Sequence, residues 1–429
     1  MEIDRRGFLG MAATFAGGVL LASCSKGGSS YISTQELGLP VPHAAPFDTV
    51  VVVMMENRSF DHILGWLPGA DGRQAGLRYI DAAGVFHPTH HLRDFQGCDF
   101  YDPRHDVRSV SRQWNHGKCN GFLITQPVGD TYPIGYYEAA DLPITAALAR
   151  GHTVCDRYHC SVMGPTGPNR MYAWSGTTDY FEFDGSLTGA GERPSDVKLA
   201  IFDRLQDAGV SHVYYAGKEP HSYAFKSKRY DVITRPHAEF FDAARTGTLP
   251  NVTYLDPDLS SVAETVGTAY DDHPFGDVRA GDAWIAKVYN ALAHSPQWDR
   301  MLFVLTFDEH GGFFDHVPPP PVEDDTDVDR LKGVNLKHMG FRVPCILGGA
   351  FAPAGVHHGG PYDHCSILRM IEWRWGLKPM RARDRTAANL AHAFDFSRGR
   401  KPIKLPAVHA PAAHSCTTAQ ITRHVTEPG

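Results

Sequence analysis

The sequence predicts an α/β protein, built as a three-layer αβα sandwich around a mostly parallel central sheet. Short apolar runs typical of strands buried on both faces alternate with segments of helical periodicity. Two of the runs end in acidic residues, a pattern typical of strands whose carboxyl ends meet at a ligand site. A chain of 429 residues can bury a large core, and it shows no internal repeat and no clean boundary between two domains.

The amino-terminal segment is predicted to lie outside this fold. Residues 1–23 carry Arg5 and Arg6 before an apolar stretch and resemble a twin-arginine export signal. The residues before Cys24 resemble a lipobox, so we expect cleavage there, a lipid on the Cys24 thiol and a flexible tether over residues 24–46. The alternative is cleavage to a soluble secreted enzyme. We therefore expect an exported protein of the periplasm or cell envelope, attached to the membrane through Cys24.

The first strand is predicted over residues 50–55, four valines followed by two methionines. Glu56 and Asn57 come directly after it, and Ser59 begins a predicted helix. Because ligands gather beyond the carboxyl ends of strands in open α/β sheets, this acid and amide can offer oxygen atoms to a hard cation or a substrate. The alternative is an asparagine that caps the helix beside a solvated glutamate.

The later elements alternate in the same way. An irregular segment over residues 68–135, which contains His116 among turn-forming residues, is expected to line a pocket. The predicted strands after it are residues 153–158, 210–216, 252–255, 301–307 and 343–347. The predicted helices are residues 143–150, 199–209, 280–294 and 366–375. The tail from Phe394 is rich in proline and alanine, and we expect it to wrap loosely.

Thr166 is the best candidate nucleophile. It stands between Gly164-Pro165 and Gly167-Pro168, which predicts a constrained turn with little to cover the hydroxyl. Such a turn can present an oxygen to a metal and bring backbone N–H groups close to a phosphate. The alternative is a rigid loop that contains a buried threonine.

A second acid-tipped strand occurs much later in the chain. Asp308 and Glu309 follow the apolar residues 301–307, and two histidines come soon after them. Together with Glu56, these acids predict one shared metal site. Its oxygen-rich ligands suit a hard divalent cation, and the identity (Ca, Mg, Mn or Zn) stays open.

Composition excludes some functions. The net charge is −7, with lysine and arginine dispersed along the chain, so there is no basic footprint for nucleic acid. The 24 histidines suggest a polar, histidine-rich site. With Cys24 set aside, seven of the eight cysteines remain; their spacing matches no zinc motif, and their pairing stays open.

Four segments together resemble one family. They are residues 56–62, 164–170, 271–274 and 308–316. These motifs resemble the bacterial phosphoesterase family, which contains haemolytic and non-haemolytic phospholipases C and a group of acid phosphatases. The resemblance implies an alkaline-phosphatase-like fold. The implied domains are a catalytic domain over residues 47–380 and a carboxyl-terminal extension over residues 381–429 that packs on it.

The resemblance also implies roles for individual residues. Thr166 would be the nucleophile and would carry a phosphothreonine intermediate. The implied metal ligands are Glu56, Asn57, Thr166, Asp308 and Glu309. The histidines implied around the phosphate are His116, His221, His273 and His316.

The implied activity is that of an exported, metal-dependent phosphoesterase. Its substrate would be the phosphodiester bond of a phospholipid head group. One alternative is an acid phosphatase acting on phosphomonoesters, favoured because the larger phospholipases C carry long additional carboxyl-terminal domains. A non-catalytic lipoprotein that binds phosphate or metal is a further alternative. A sulfatase would need cysteine or serine at position 166, because threonine cannot become formylglycine.

Overall fold

The computed structural model describes residues 36–179, 197–225, 228–326 and 335–417. The predicted export signal, the lipobox and Cys24 lie outside the described residues. Contacts divide the chain into residues 1–37 and residues 38–429, and the strands and helices of the described chain belong to the second unit.

A central sheet organises this unit. The strands are β1 (Thr49–Met55), β2 (Arg78–Ile80), β3 (Phe86–Pro88), β4 (His90–His91), β5 (Gly135–Tyr136), β6 (Thr153–Cys155), β7 (His212–Ala216), β8 (Thr234–Pro236), β9 (Val252–Leu255), β10 (Met301–Phe307), β11 (Cys345–Gly349) and β12 (Gly355–His357). Eight of them form one sheet in the order β12-β6-β11-β10-β1-β9-β7-β8. Only the two pairings made by β11 are antiparallel within it, so the predicted mostly parallel sheet is confirmed.

Helices cover both faces of this sheet. They are α1 (Phe60–Leu64), α2 (Val107–Trp114), α3 (Pro143–Gly151), α4 (Thr166–Ser175), α5 (Ile201–Asp207), α6 (His237–Thr246), α7 (Ser261–Thr265), α8 (Val278–Ala293), α9 (His364–Trp375) and α10 (Ala382–Thr386). One layer packs α3 and α6 against α8, and the other packs α4 and α10 against α9. The result is the three-layer αβα sandwich that the sequence predicts.

The strand β1 lies at the centre because its side chains suit burial on both faces. All seven of its residues are buried, as are all seven of β10. The two strands are parallel, and their register pairs Met55 with Phe307. Glu56 and Asp308 are therefore the next residues on adjacent strands. On the other side of β1, the register with β9 brings the chain out of the sheet at Asp256.

The predicted elements are present, with ends that differ by a few residues. The segment around Thr166 differs more, because the predicted turn is the beginning of α4. Pro165 takes the extended conformation of a helix N-cap, and Pro168 lies in the first turn, where its missing N–H removes no intrahelical hydrogen bond. The glycines and prolines here start a helix and do not interrupt one.

The carboxyl-terminal tail is attached more firmly than its composition predicts. Cys416 forms a disulfide with Cys98 across 318 positions, and Ile403 donates its backbone N–H to the Tyr289 hydroxyl at 2.9 Å. The other cysteines of the described chain are buried free thiols: Cys119, Cys155, Cys160, Cys345 and Cys365. Across the described ranges, no helix combines the length and apolar character needed to cross a membrane.

Candidate active site

Two strand ends meet at the carboxyl edge of the sheet and are joined through one carboxylate. Asn57 has a left-handed backbone (φ 61°), a conformation that asparagine tolerates better than most residues. Its backbone N–H donates to Oδ1 of Asp308 at 3.1 Å, and the N–H of Glu309 donates to the same oxygen at 2.7 Å. Glu56, Asn57, Asp308 and Glu309 are all buried. The polar residues that follow β1 and β10 thus form one cluster.

Thr166 brings a hydroxyl to this cluster from the start of α4. The side chain is half-buried, and its Oγ1 donates to Oδ1 of Asn57 at 3.1 Å. The first N–H groups of a helix have no intrahelical partner, and here they belong to Thr166 and Gly167 because Pro168 has none. These N–H groups and the helix dipole favour an anion beside the Thr166 hydroxyl.

Asn169 holds the segment that precedes Thr166. Its Oδ1 accepts from the backbone N–H of Val162 at 3.0 Å, and its Nδ2 donates to the carbonyls of Gly164 at 2.9 Å and Pro165 at 3.1 Å. Asn169 is fully buried, so these hydrogen bonds are protected from water. The position of the Thr166 hydroxyl is therefore set by a side chain one turn further along the same helix.

Arg170 is the cation at the centre of the cluster. It is buried, and its Nε donates to Oδ2 of Asp308 at 2.9 Å while a terminal nitrogen forms an ion pair with Asp256 at 2.9 Å. The nearest approach to the Glu56 carboxylate is 3.8 Å. The guanidinium also donates to two carbonyls at the end of β1, each at 3.3 Å. One arginine thus connects three strand ends.

The charge on these acids is only partly balanced. Burial raises the pKa of Asp308 to about 6, although Arg170 opposes the shift. Burial, together with the charge of Asp308, raises the pKa of Glu56 well above its ordinary value. Two further acids add negative charge beside Glu56, because carboxylate oxygens of Glu56, Glu264 and Asp271 lie within 4.8 Å of one another.

Two histidines lie beside the cluster on separate loops. His105 has its Nδ1 on the carbonyl of Pro103 at 2.7 Å, while its Nε2 lies 3.3 Å from Nδ2 of Asn57. The ring of His273 is 5.9 Å from that of His105, and its Nε2 is 3.9 Å from the Asp102 carboxylate. Burial opposes protonation of His105, but Glu309 and Asp102 outweigh it and raise its pKa to about 9. Burial lowers the pKa of His273.

The structure distributes the other predicted histidines differently. His221 is buried against Trp174, and burial with the nearby Arg170 charge lowers its pKa to about 3, so it stays neutral beside the cluster. His116 is exposed on a turn and packs its ring on Trp114. His316 donates to Asp61 through its Nδ1 at 2.6 Å. The contacts of His116 and His316 in the described chain do not reach Thr166.

Three site residues were missed by the sequence analysis: His105, Arg170 as the central cation, and Asp256. Asp256 directly follows an apolar strand, so the signal that identified Glu56 and Asp308 could have found it. His105 lies in the irregular segment, where no periodicity indicates which side chains point inward.

The residues fit a hard divalent cation. The oxygen donors are the side chains of Glu56, Asn57, Thr166 and Asp308, and hard cations prefer such oxygens. Glu309 also keeps one buried oxygen, Oε1, without a hydrogen bond in the described chain. Burying carboxylate charge without a partner costs free energy, which a bound cation would offset. Glu309 directs its other oxygen to the N–H of Gly311 at 2.7 Å.

Comparison with known proteins identifies relatives over most of the chain. The model of the phosphoesterase family matches residues 47–378. Non-specific phospholipase C1 of Arabidopsis thaliana is 32% identical over 413 residues, which cover 86% of this chain and 75% of the relative. Phospholipase C A of Mycobacterium tuberculosis (strain ATCC 25618 / H37Rv) is 29% identical over 420 residues, covering 83% and 79%. The solved structure of a Vibrio parahaemolyticus protein in the alkaline phosphatase superfamily aligns with a TM-score of 0.38 and 11% identity. The alignment covers 81% of this chain and 71% of that one.

Proposed function

The chain belongs to the phosphoesterase family and is a hydrolase of phosphoester bonds, and on this premise we propose that it is a phospholipase C acting through Thr166. It would cleave the phosphodiester bond between the lipid and its phosphorylated head group. The observation that carries the proposal is the Thr166 hydroxyl, placed at a helix N-terminus 3.1 Å from Asn57 and beside buried carboxylates. The relatives named phospholipase C support a diester substrate.

In the first step, Thr166 Oγ1 gives up its proton to water and attacks phosphorus, and the bond to the departing alcohol breaks. Asn57 holds the hydroxyl by accepting its hydrogen bond. The backbone N–H groups at the start of α4 are placed to bind phosphoryl oxygens. The product of this step is a phosphothreonine that still carries the head group. In the second step, water attacks phosphorus, the P–Oγ1 bond breaks, Oγ1 regains a proton and the phosphorylated head group leaves.

His105 is the proposed proton donor to the departing alcohol. Nearby carboxylates raise its pKa to about 9, which favours the protonated ring at neutral pH, and Nδ1 donates to the carbonyl of Pro103. In this structure Nε2 accepts from Nδ2 of Asn57, so the proposal requires that the protonated Nε2 exchange this contact for the departing alcohol. After the alcohol has left, the neutral imidazole can accept a proton from the attacking water. His273 and His221 have lowered pKa values, so in their neutral form they would contribute hydrogen bonds rather than charge.

The proposal includes a divalent cation, held by Glu56, Asn57, Thr166 and Asp308. Such a cation, when bound, acidifies a hydroxyl and offsets phosphoryl charge. Arg170 contributes independently of it, because its ion pairs with Asp308 and Asp256 keep these carboxylates in place.

A paired assay tests the substrate class. Purified protein is given p-nitrophenyl phosphorylcholine and p-nitrophenyl phosphate, each with Ca, Mg, Mn or Zn and after chelation. We expect cation-dependent turnover of the diester, and acid quenching followed by mass spectrometry should find phosphorylcholine on the peptide that contains Thr166. Turnover of the monoester alone would assign the chain as an acid phosphatase.

The proposal places the mature protein outside the cytoplasm, attached to the membrane by a lipid on Cys24. The support is the twin-arginine and lipobox pattern of residues 1–24. Replacing the anchor residue (Cys24→Ser) should release the protein from the membrane fraction in soluble form. A wild-type protein that is already wholly soluble, with its amino terminus elsewhere, would contradict the anchor.

A further inference from the structure

The end of the carboxyl-terminal tail is attached to two different loops. Cys416 is bonded to Cys98, and the carbonyl of His414 accepts from Nε2 of Gln96 at 2.5 Å. The hydroxyl of Ser415 donates to the carbonyl of Val266 at 3.0 Å. Residues 414–416, which we call the tail anchor, therefore contact both loops, one at Gln96 and Cys98 and the other at Val266.

Each of these segments leads directly to a histidine of the candidate site. The His105 loop, residues 96–105, runs from the disulfide to Asp102 and His105. The His273 loop, residues 264–273, runs from Glu264 past the tail contact to His273. Outside the tail anchor the loops meet at the site, where Asp102 approaches His273 at 3.9 Å and the histidine rings lie 5.9 Å apart.

The tail anchor fits closely against the His273 loop. Gly267 has a left-handed backbone (φ +70°), and a Cβ built on it would lie 2.1 Å from the carbonyl oxygen of His414. Any larger residue would displace either the tail or the loop. Glycine at this position permits the direct backbone approach.

The tail directly before the anchor, residues 409–413, is mostly exposed. Residues 408–414 form one wall of a cavity of about 500 Å³, whose other wall includes Tyr270 and Trp284. Upstream, the tail is attached at Ile403, whose N–H donates to Tyr289. Ala410, Ala412 and Ala413 are exposed between these two attachments. Leu405 and Val408 still pack on the core, but the residues directly before the anchor are mostly exposed, so the disulfide is the covalent attachment next to the two loops.

We propose that the Cys98–Cys416 disulfide is a positioning element of the reaction site, which keeps the His105 loop and the His273 loop together through the tail anchor. Two irregular loops have many accessible conformations, and a covalent link between distant parts of the chain removes many of them. The disulfide does not touch substrate; it acts through His105 and His273. Its expected effect on turnover rests on the proposed function, whereas its effect on loop mobility does not.

The test is a double variant of the full chain, Cys98→Ser/Cys416→Ser, which removes the link without leaving an unpaired thiol. Hydrogen–deuterium exchange should become severalfold faster in peptides covering residues 96–105 and 264–273, and stay unchanged in β1 and β10. With whichever phosphoester the wild type hydrolyses, kcat should fall about tenfold to a hundredfold at 25 °C, because small displacements of catalytic groups cost that much. KM should change little.

Ile403→Ala is the matched control, because it removes the side chain that packs on the core beside Gly151, upstream in the same tail, without touching either loop. It should lower the melting temperature but leave kcat and the exchange of both loops unchanged. If the double variant does not fold, the folded wild type is reduced with a phosphine, which opens the Cys98–Cys416 link, and the same two measurements are made on the reduced protein. Loop exchange and kcat within twofold of wild type would overturn the proposal, whatever happens to the melting temperature. A wild type inactive on every phosphoester would reject the proposed function, while loop exchange would still decide the role of the disulfide.

Discussion

Arg170 and Arg342 are each buried among carboxylates with a histidine at the edge, yet the two clusters are bonded differently. Around Arg342, Oδ1 of Asp315 accepts from the arginine Nε at 2.9 Å and from a backbone N–H, and Oδ2 accepts from the guanidinium at 3.1 Å. Asp61 accepts from Arg342 at 3.2 Å, from His316 at 2.6 Å and from the N–H of Arg73 at 2.9 Å. Every oxygen of these two carboxylates has a protein donor.

In the cluster around Arg170, the carboxylate oxygens are less fully hydrogen-bonded. Glu56 approaches the guanidinium only to 3.8 Å, and one oxygen of Glu309 has no hydrogen bond in the described chain. Since buried polar groups are usually paired within a folded protein, unpaired ones indicate a place where a ligand can bind. The comparison distinguishes a cluster whose carboxylate oxygens are all hydrogen-bonded from a candidate reaction site built of the same residue types.

The largest expected effect is on turnover after Thr166→Ala. The attacking oxygen is lost together with one ligand of the proposed cation, so kcat should fall by at least about 10³-fold. Stability should change little at a half-buried first helical residue. Thr166→Ser, which keeps the oxygen, should retain part of the activity. Near-normal turnover by Thr166→Ala would mean that water attacks phosphorus directly and that Thr166 is structural.

The second expected effect is on stability, in the Arg342 cluster. Asp315→Ala leaves Arg342 buried with one of its two carboxylate partners removed, which should cost about 3 kcal/mol of unfolding free energy. Chemical denaturation measures this cost, and kcat of the folded fraction should stay within a few-fold of wild type. A large loss of kcat in a fully folded variant would place the Arg342 cluster in the reaction site.

A pair of histidine variants compares the clusters directly. His105→Ala should lower kcat by about a hundredfold, because a general acid contributes about that much or more. His316→Ala, which removes a hydrogen bond to Asp61, should lower the melting temperature with little change in kcat. The dependence of kcat on pH adds a second readout. In the wild type, kcat should fall at alkaline pH as the general acid loses its proton, and this fall should disappear in His105→Ala alone. Equal losses of kcat in both variants would contradict the separation of the clusters.

The smallest expected effect is a pH dependence of cation binding. The pKa of Asp308 is raised to about 6 in the folded, cation-free protein, against about 3.9 in an unfolded chain. Its contribution to stability is therefore present below pH 4 and lost as pH rises through 6. A cation that needs ionised carboxylates competes with the protons on Asp308 and Glu56, so its stabilisation should grow by at least about 1.4 kcal/mol per pH unit up to pH 6 and more slowly above it.

Melting temperatures with and without Mn between pH 5 and 8 measure this dependence. Asp308→Asn should abolish it. Asp315→Asn is the matched control, because the pKa of Asp315 is also raised to about 6 by burial but its oxygens belong to the other cluster. Loss of the cation effect in Asp315→Asn would show that the clusters share one ion.

Much of the fold and part of the site could be predicted from the sequence, for a local physical reason. The apolar runs of β1 and β10 determine their burial, and parallel pairing then brings the residues after Met55 and Phe307 side by side. Glu56, Asn57 and Asp308 were predicted in this way. Thr166 was predicted from its neighbouring glycines and prolines, although these residues begin α4 and do not form an isolated turn.

The tertiary structure alone decided which side chains complete the candidate site. His105 and His116 both lie in the irregular segment before β5, and only the folded path of that segment brings His105 to Asn57 while His116 remains exposed. His316 follows Asp308 closely in sequence, but Asp61 binds it in the other cluster. Local periodicity describes regular backbone, whereas these contacts depend on irregular backbone and on partners far away in sequence.

The same distinction applies to charge and to covalent links. The sequence by itself determined an α/β fold, two acid-tipped strands and a threonine between two glycine–proline pairs. Only the tertiary structure decided that Arg170 balances Asp308 and Asp256, and that Cys98 pairs with Cys416 among the available cysteines. The physical reason is that an ion pair or a disulfide needs two groups at a few ångströms, and for residues this far apart in sequence that distance is set by the packing of the whole domain.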